Sequence, residues 1–216
     1  MSSRHGHIAD IRKDYQLAAL DEAATGDNPL LFFSKWFAEA QTAQVGEVNA
    51  FTLATVDAAA HPHARIVLLK GLDDKGFVFY TNYNSAKGTD IAANPHAAAV
   101  FFWMELERQV RIEGSVEKVS VEESDAYFQS RPEGSRIGAW SSPQSTVIPT
   151  RDVLDENYAH YARQFGTEVP RPPHWGGYCI VPHRIEFWQG RASRMHDRIQ
   201  FTKDPTGKWT RCRLAP

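Results

Sequence analysis

The sequence predicts a mainly β protein, an antiparallel barrel with helices at its periphery. Runs rich in β-branched residues outnumber amphipathic segments, and the connections between consecutive runs are short. Strands and helices do not alternate as in parallel sheets, and no GxGxxG or phosphate-loop glycine pattern occurs, which argues against a Rossmann-type sheet. The 216 residues suit one domain, residues 26–216, preceded by a flexible N-terminal segment, residues 1–25.

Helical character is concentrated in five segments. Asn28 and Pro29 mark a helix start, because proline is favoured at the first helical position. Ser120 and Glu123 form a capping-box pattern at another start. The apolar face of the first of these helices is predicted to contain Leu30, Phe33, Phe37 and Ala40. The predicted helices are a short stretch around residues 8–15, the helix from residue 29, and residues 85–93, 120–130 and 151–165.

Strands account for most of the remaining chain. Their signals are β-branched or aromatic runs bounded by turn residues. The predicted strands are residues 50–56, 64–70, 77–81, 97–104, 108–119, 177–181, 185–189, 195–201 and 209–214. Residues 131–150 are rich in proline, glycine and serine without a clear period, and a loop of that length is usually functional or disordered.

Composition excludes several classes of function. A net charge of −2, with 42% hydrophobic residues, gives no general attraction to nucleic acid or to an anionic membrane. Cys179 and Cys212 show no CxxC spacing, and the two His-x-His pairs lack a third ligand, so neither a disulfide framework nor a metal site is expected. With no apolar run of membrane-spanning length and no leader pattern, we expect a cytoplasmic protein.

The segment from Arg194 to Arg198 carries the clearest chemical signal. In a strand, Arg194, His196 and Arg198 share one face, because side chains alternate with period two. Such a row is costly to bury without partners, so the face must contact water or an anion. A solvated edge strand and an anion site both satisfy this requirement.

Three further segments could bind anions. Arg65 and Lys70 bracket an apolar strand, on opposite faces if alternation is strict, although charges also protect strands against aggregation. Lys87 lies at a helix start, a common seat for phosphate, although a capped surface helix explains it equally well. Arg131 and Ser135 occur together in the predicted loop. No nucleophile motif or acid–base pair is present, which favours a bound organic cofactor.

At these segments the sequence resembles the pyridoxine/pyridoxamine 5′-phosphate oxidase family. The likeness covers nearly the whole chain, from Arg12 to the terminal RLAP, and its motifs occur in the same order. They are RIVLLK (65–70), FVFYTN (77–82), ERQVRIEG (107–114), YFQSRPEGSRIGAW (127–140), QS (144–145), HWGGY (174–178), IEFWQGR (185–191) and RMHDR (194–198). The family is a split β-barrel homodimer that binds FMN in clefts between its subunits.

The resemblance implies a role for each matched position. The implied FMN contacts are Arg65, Ile66, Val67, Leu68, Leu69, Lys70, Tyr80, Thr81, Lys87, Gln109, Gln144, Ser145, Trp188 and Arg198. The implied substrate-phosphate ligands are Lys70, Tyr127, Arg131 and Ser135. Arg194 and His196, the implied catalytic residues, would lie over the pyridine ring, and Arg12 and Tyr15 would help cover the occupied site.

The implied reaction oxidises pyridoxine or pyridoxamine 5′-phosphate to pyridoxal 5′-phosphate. Hydride leaves C4′ for the flavin, O2 is the final electron acceptor, H2O2 is the product, and the amine substrate releases ammonia. Two alternatives remain: a sister oxidase of the phenazine-biosynthesis type and a non-catalytic flavin- or haem-binding barrel. Two positions depart from the family: Ala86 replaces the usual arginine, which should weaken FMN binding, and Met195 replaces leucine with little change in volume.

Overall fold

The computed structural model describes residues 10, 11 and 13–216. The helices in this part are α1 (Glu22–Thr25), α2 (Pro29–Thr42), α3 (Ala86–Ala93), α4 (Val121–Ser130), α5 (Glu133–Ser141) and α6 (Asp152–Phe165). The strands are β1 (Ala50–Val56), β2 (Pro62–Leu68), β3 (Gly71–Leu72), β4 (Phe77–Asn82), β5 (His96–Trp103), β6 (Arg108–Lys118), β7 (Trp175–Gln189), β8 (Asp197–Lys203) and β9 (Trp209–Arg213). No described helix combines the length and apolar character that a membrane span requires.

The strands form one sheet, in the order β2-β1-β5-β6-β7-β4-β3, with β8 paired to β7 and β9 paired to β8. The pairings with assigned register are antiparallel, for example Phe51 opposite Val67 and Phe79 opposite Tyr178. This architecture confirms the predicted mainly β, antiparallel class. Short connections such as the β1–β2 turn, which the Asp57 carboxylate closes by accepting from the Ala59 and His61 amides, account for the pairing of consecutive strands.

Two compact units divide the chain. We call one the terminal unit; it comprises the described residues up to Val48 together with Phe101–Arg111 and Arg184–Pro216. The other, which we call the central unit, comprises Asn49–Val100 and Ile112–His183. Each unit has its own buried aromatic residues.

Helix α2 supplies the core of the terminal unit. Asn28 caps it, since its side chain accepts from the Leu30 amide, and Pro29 occupies the first turn as predicted. Phe33 packs edge-on against Phe101, with ring centroids 5.0 Å apart. The predicted apolar face holds, except that Phe37 is half-buried while Phe32 and Trp36 are buried in addition. The apolar stripe is therefore wider than the spacing alone indicated.

In the central unit, strands β1 and β4 bury Phe51, Phe77 and Phe79. Gly76 permits a close chain approach there, because a Cβ at this position would lie 2.0 Å from the Ile180 carbonyl oxygen. A second cluster of buried residues lies at helices α4 and α5: Phe128, Ile137, Val169 and Trp175.

Four sequence predictions require correction. Part of the predicted loop 131–150 is helix α5, which buries only Ile137 and Ser141 and so shows little apolar periodicity. Residues 177–181 and 185–189 belong to one strand, β7, because Pro182 falls between its pairing with β4 at 175–180 and its pairing with β8 at 184–189.

The other two corrections concern the start of a strand and a predicted helix near the N-terminus. Strand β8 begins at Asp197, and Arg194 belongs to a short 3-10 turn in which Ser193 and Arg194 have φ of 56° and 61°. The helix expected around residues 8–15 lies partly outside the described residues, and those of its residues that are described are not helical.

Candidate functional site

A pocket of about 800 Å³ lies in the central unit. Strands β2 and β4 and helices α3, α4 and α5 all contribute to its wall. The sequence-predicted residues that line it are Arg65, Ile66, Val67, Leu68, Lys70, Tyr80, Thr81, Lys87, Tyr127, Arg131, Ser135 and Gln144. The residues that sequence reasoning did not assign are Asn82, Pro132, Gly138, Ala139, Ser142 and Trp175.

The pocket wall carries positive charge and no lining carboxylate. Its lining residues include Arg65, Lys70, Lys87 and Arg131 and no aspartate or glutamate. Cations that face one cavity repel each other, and each is costly to desolvate. An anionic ligand with more than one charged oxygen would remove both costs.

Arg131 has the strongest requirement for a ligand. Its guanidinium lies over the Trp175 ring, with the carbon 4.6 Å from the ring centroid. The Nη1 atom is buried and has no hydrogen-bond partner among the described residues. Burial lowers the pKa of Arg131, yet a guanidinium remains charged at neutral pH. An orphaned buried donor of this kind is rare and calls for an acceptor in the pocket.

Lys87 is buried in the first turn of α3. Its Nζ lies 3.2 Å from both Thr81 Oγ1 and Ser85 Oγ, and 3.5 Å from Gln144 Oε1. Burial, together with the charge of Arg65, lowers the pKa of Lys87. All three neighbours are neutral, so its charge has no counter-ion among them. The predicted helix-start position is confirmed, with Ser85 as the N-cap.

Arg65 and Lys70 both line the pocket. Strand β2 ends at Leu68, so the strict alternation on which their expected opposite faces depended does not extend to Lys70. Arg65 is held by Thr55 Oγ1 at 2.6 Å. Lys70 is exposed and makes no side-chain hydrogen bond with the described residues.

A stack of aromatic rings forms another part of the wall. The Tyr80 and Tyr127 rings are stacked with centroids 3.8 Å apart, and Trp175 stacks on Tyr80 at 5.6 Å. Burial raises the pKa of both tyrosines, with Glu123 contributing at Tyr80, so both hydroxyls stay protonated near neutral pH. The tyrosine hydroxyls are therefore neutral hydrogen-bonding groups, and the flat faces suit a planar ligand.

Six predicted residues belong to the terminal unit instead. They are Tyr15, Gln109, Trp188, Arg194, His196 and Arg198. Arg198 donates through Nε and Nη2 to the two oxygens of buried Glu186, at 2.8 and 3.1 Å, and through Nη1 to the Ala215 carbonyl. The structure therefore pairs Arg198 within the chain.

His196 sits in an aromatic group. Its ring centroid is 4.6 Å from that of Trp188 and 5.9 Å from that of Tyr15. The Arg191 backbone N–H donates to His196 Nδ1 at 3.1 Å. A neutral His196 therefore carries its proton on Nε2. Arg194 is exposed in the preceding turn, so the predicted common strand face of Arg194, His196 and Arg198 is not formed.

Three predicted residues remain. Leu69 is buried and does not line the pocket, because it packs into the core. Ser145 is exposed, with φ of 71°, and also lies outside the lining. Arg12 lies outside the described residues.

Trp175 is the most informative residue that sequence reasoning left without a role. It stacks on Tyr80 and supports Arg131. Trp175 belongs to the HWGGY motif. Its contact with Arg131, which lies 44 positions earlier in the chain, is visible only in the folded structure.

Comparison with solved structures defines the fold. PhzG from Burkholderia lata, in complex with tetrahydrophenazine-1-carboxylic acid, matches with a TM-score of 0.87 and 27% identity over 93% of this chain and 100% of that one. A pyridoxamine 5′-phosphate oxidase-related FMN-binding protein from Nostoc punctiforme matches with a TM-score of 0.71 and 17% identity, over 88% and 98%. The chain is thus a mainly β, split-barrel protein with a cationic pocket.

Sequence comparison is more specific. The family model described as pyridoxamine 5′-phosphate oxidase matches residues 37–163, and that of the pyridoxine 5′-phosphate oxidase C-terminal dimerisation region matches residues 175–216. Pyridoxine/pyridoxamine 5′-phosphate oxidase 1 of Ralstonia nicotianae is 60% identical, and the corresponding oxidase of Cupriavidus necator is 58% identical, each over 97% of this chain and 99% of the relative. The chain belongs to the pyridoxine/pyridoxamine 5′-phosphate oxidase family of enzymes.

Proposed function

We propose that this chain is an FMN-dependent oxidase that converts pyridoxine and pyridoxamine 5′-phosphates to pyridoxal 5′-phosphate, with O2 as electron acceptor and H2O2 as product. The observation that carries the proposal is the pocket wall with four cations and no carboxylate, in which Arg131 Nη1 has no partner. FMN and each substrate carry a phosphate, so two anions match this wall.

The substrate phosphate is assigned to Lys70, Tyr127, Arg131 and Ser135. All four line the pocket. Within the described residues, no hydrogen bond occupies the side-chain donor of Lys70, Tyr127 or Ser135, or the Nη1 atom of Arg131. Trp175 restricts the Arg131 guanidinium, so little side-chain entropy is lost on binding. Hydrogen bonds from charged groups to phosphate contribute about 1.5–3 kcal/mol each.

The remaining pocket cations and the polar groups near them fit FMN. Arg65 and Lys87 suit its phosphate, since a phosphate would supply the counter-ion that Lys87 lacks among its pocket neighbours. Thr81 and Gln144 offer oxygen and amide groups beside Lys87. When bound, FMN would supply the two-electron acceptor that the chain's own side chains cannot provide. Gln109, Ser145, Trp188 and Arg198 enter this proposal by resemblance alone.

Arg194 and His196 are proposed to orient the reacting carbon. The Arg191 N–H fixes His196 with its proton on Nε2, so the ring offers a donor to the substrate rather than a base. Exposed Arg194 is free to form a charge-assisted contact. Tyr15 packs on His196 and is proposed to help cover the site and exclude water. No general base is assigned.

The proposal includes a homodimer, which the match of residues 175–216 to the C-terminal dimerisation region of the family supports. It also places the enzyme in the cytoplasm, with free Cys179 and Cys212. Neither nucleic acid nor a membrane is a proposed partner.

The test is an assay in air with the purified protein reconstituted with FMN. Pyridoxal 5′-phosphate formation from each phosphate, with matching H2O2, is the expected result, and unphosphorylated pyridoxine should be a poor substrate. Bound flavin with turnover of a reduced phenazine carboxylate, but of neither phosphate, would favour the sister oxidase. Failure to bind FMN would contradict the proposal.

Arg194→Ala tests the assigned orienting role. We expect turnover to fall at least tenfold while the FMN Kd stays constant, because Arg194 contacts substrate rather than cofactor in this proposal. Arg151→Ala removes an exposed arginine of the central unit as a control. Unchanged turnover of Arg194→Ala would refute the role.

A further inference from the structure

Asp90 on α3 is a buried carboxylate that does not line the pocket. Its Oδ2 atom accepts from Thr55 Oγ1 at 2.6 Å and lies 3.0 Å from His63 Nδ1. Burial opposes the charge of Asp90, but the hydrogen bonds from Thr55 and His63 lower its pKa, so it is ionised. A charged group kept in the interior needs a specific compensating partner.

That partner is the pocket residue Arg65. Its Nη2 lies 3.6 Å from Asp90 Oδ2, and its Nη1 donates to Thr55 Oγ1 at 2.6 Å. Nη1 also donates to the Leu53 and His63 carbonyl oxygens, both at 3.2 Å. Thr55 thus relays between the guanidinium and the carboxylate. The described residues leave the Nε of Arg65 without a hydrogen bond.

This arrangement leaves one edge of the guanidinium for a ligand. Nη1 is fully occupied and Nη2 lies 3.6 Å from Asp90 Oδ2, which leaves the Nε N–H and the Nη2 N–H parallel to it. Two parallel N–H donors match two oxygens of a phosphate. A held arginine loses little freedom when the ligand arrives. Asp90 also offsets the repulsion between Arg65 and Lys87, which line the same pocket.

We propose that Asp90, relayed by Thr55, is a positioning residue that presents the Nε–Nη2 edge of Arg65 to the FMN phosphate. This inference rests on the proposed function and deepens it. Asp90 itself touches neither cofactor nor substrate in this role. Its effect should therefore appear in recognition of the phosphate and not of the flavin ring.

The experiment compares FMN with riboflavin, which lacks the phosphate, by fluorescence titration of the flavin-free protein. For Asp90→Asn we expect the FMN Kd to rise about tenfold, with the riboflavin Kd unchanged. Thr55→Val should act in the same direction, and Thr55→Ser should restore most of the affinity because it keeps the hydroxyl. In an Arg65→Met background, Asp90→Asn should have no further effect on the FMN Kd.

Asp57→Asn is the matched control, because it removes a carboxylate from the exposed pair with His61, at 3.2 Å and outside the pocket lining. Its FMN Kd should equal that of the parent. An unchanged FMN Kd in both Asp90→Asn and Thr55→Val, or equal weakening of FMN and riboflavin, would overturn the inference. If Asp90→Asn does not fold, the Thr55→Val and Thr55→Ser pair decides.

The two proposals fail in different ways. A parent protein that binds FMN and turns over pyridoxine 5′-phosphate, with Asp90→Asn binding FMN normally, refutes only the positioning role. A parent that does not bind FMN refutes the proposed function and the positioning role with it.

Discussion

The central-unit pocket and the C-terminal strands of the terminal unit are both rich in cations, but the strands hold carboxylates beside theirs, whereas no carboxylate lines the pocket. In the terminal unit, Arg198 is paired with Glu186, and Arg213 with Glu22 and Asp197. In the pocket, no lining residue is acidic, and a nitrogen of Arg131 has no described partner. A cavity lined by cations and by no carboxylate therefore signals a ligand site, whether its arginine has an unpartnered nitrogen, as Arg131 has, or is paired with a carboxylate outside the lining, as Arg65 is with Asp90.

The largest expected effect is on stability. Arg198→Met should lower the free energy of unfolding by about 3 kcal/mol, because it leaves Glu186 buried with only partial compensation from Arg111. Urea denaturation of the flavin-free protein measures this loss. Arg151→Met, at a side chain that is 83% exposed, should change stability by less than about 0.5 kcal/mol. If Arg198→Met were as stable as the parent protein, the Arg198–Glu186 ion pair would not be structural, and the C-terminal strands would not differ from the pocket in this respect.

Arg131→Met should impair catalysis far more than it lowers the free energy of unfolding. The catalytic efficiency kcat/KM for pyridoxine 5′-phosphate should fall about 10- to 150-fold, the equivalent of about 1.5–3 kcal/mol. Stability should fall by no more than about 1 kcal/mol, since the buried Nη1 has no described hydrogen bond to lose and only the contacts with the Trp175 and Phe128 rings are removed. Steady-state kinetics at saturating FMN, paired with urea denaturation, separates the two quantities. A large stability loss with unchanged kinetics would show that Arg131 is structural.

Adding a cation beside the pocket residue Lys87 should strengthen FMN binding. Ala86 is exposed beside Lys87 in the first turn of α3, at the position where the family resemblance implies an arginine. Ala86→Arg should lower the FMN Kd about tenfold, the effect of one charged hydrogen bond. Thr89→Arg, on the same helix, is the control for added charge in a fluorescence titration. Equal gains from both variants would point to a general electrostatic effect.

The smallest effect concerns acid stability. Burial opposes ionisation of Asp197, but hydrogen bonds from the Leu20 amide and Arg213 lower its pKa below the unfolded value of about 3.9. Its stabilisation is thus present above that pH and is lost as pH falls through the folded pKa. Asp197→Asn should cost about 1 kcal/mol at pH 7, with the difference from the parent shrinking below about pH 4. If the stability difference between Asp197→Asn and the parent did not change with pH, the ionised Asp197 carboxylate and its pair with Arg213 would not be its source.

Much of the candidate site was predictable from local patterns. Lys87 follows the helix-capping Ser85, and the YFQSRPEGSRIGAW motif contains Tyr127, Arg131 and Ser135, which all line the pocket. These residues lie close together in sequence, so their spacing carries the signal. The role of Trp175 was not predictable in this way, because it acts through contact with Arg131.

The errors also have physical causes. The strand expected at residues 195–201 begins only at Asp197, since Ser193 and Arg194 adopt left-handed backbone conformations that alternation cannot reveal. The pairing of Arg198 with Glu186 joins neighbouring strands β8 and β7, and such partners depend on register.

The sequence by itself determined the antiparallel β class, the start of α2 at Pro29 and the family, because these depend on local propensity, periodicity and ordered motifs. Tertiary structure alone decided which cations stay unpaired, because a carboxylate such as Glu186 or Asp90 reaches its arginine only through strand register or helix packing. The sequence determines which side chains are charged, whereas the fold determines which counter-ion, if any, lies beside each of them.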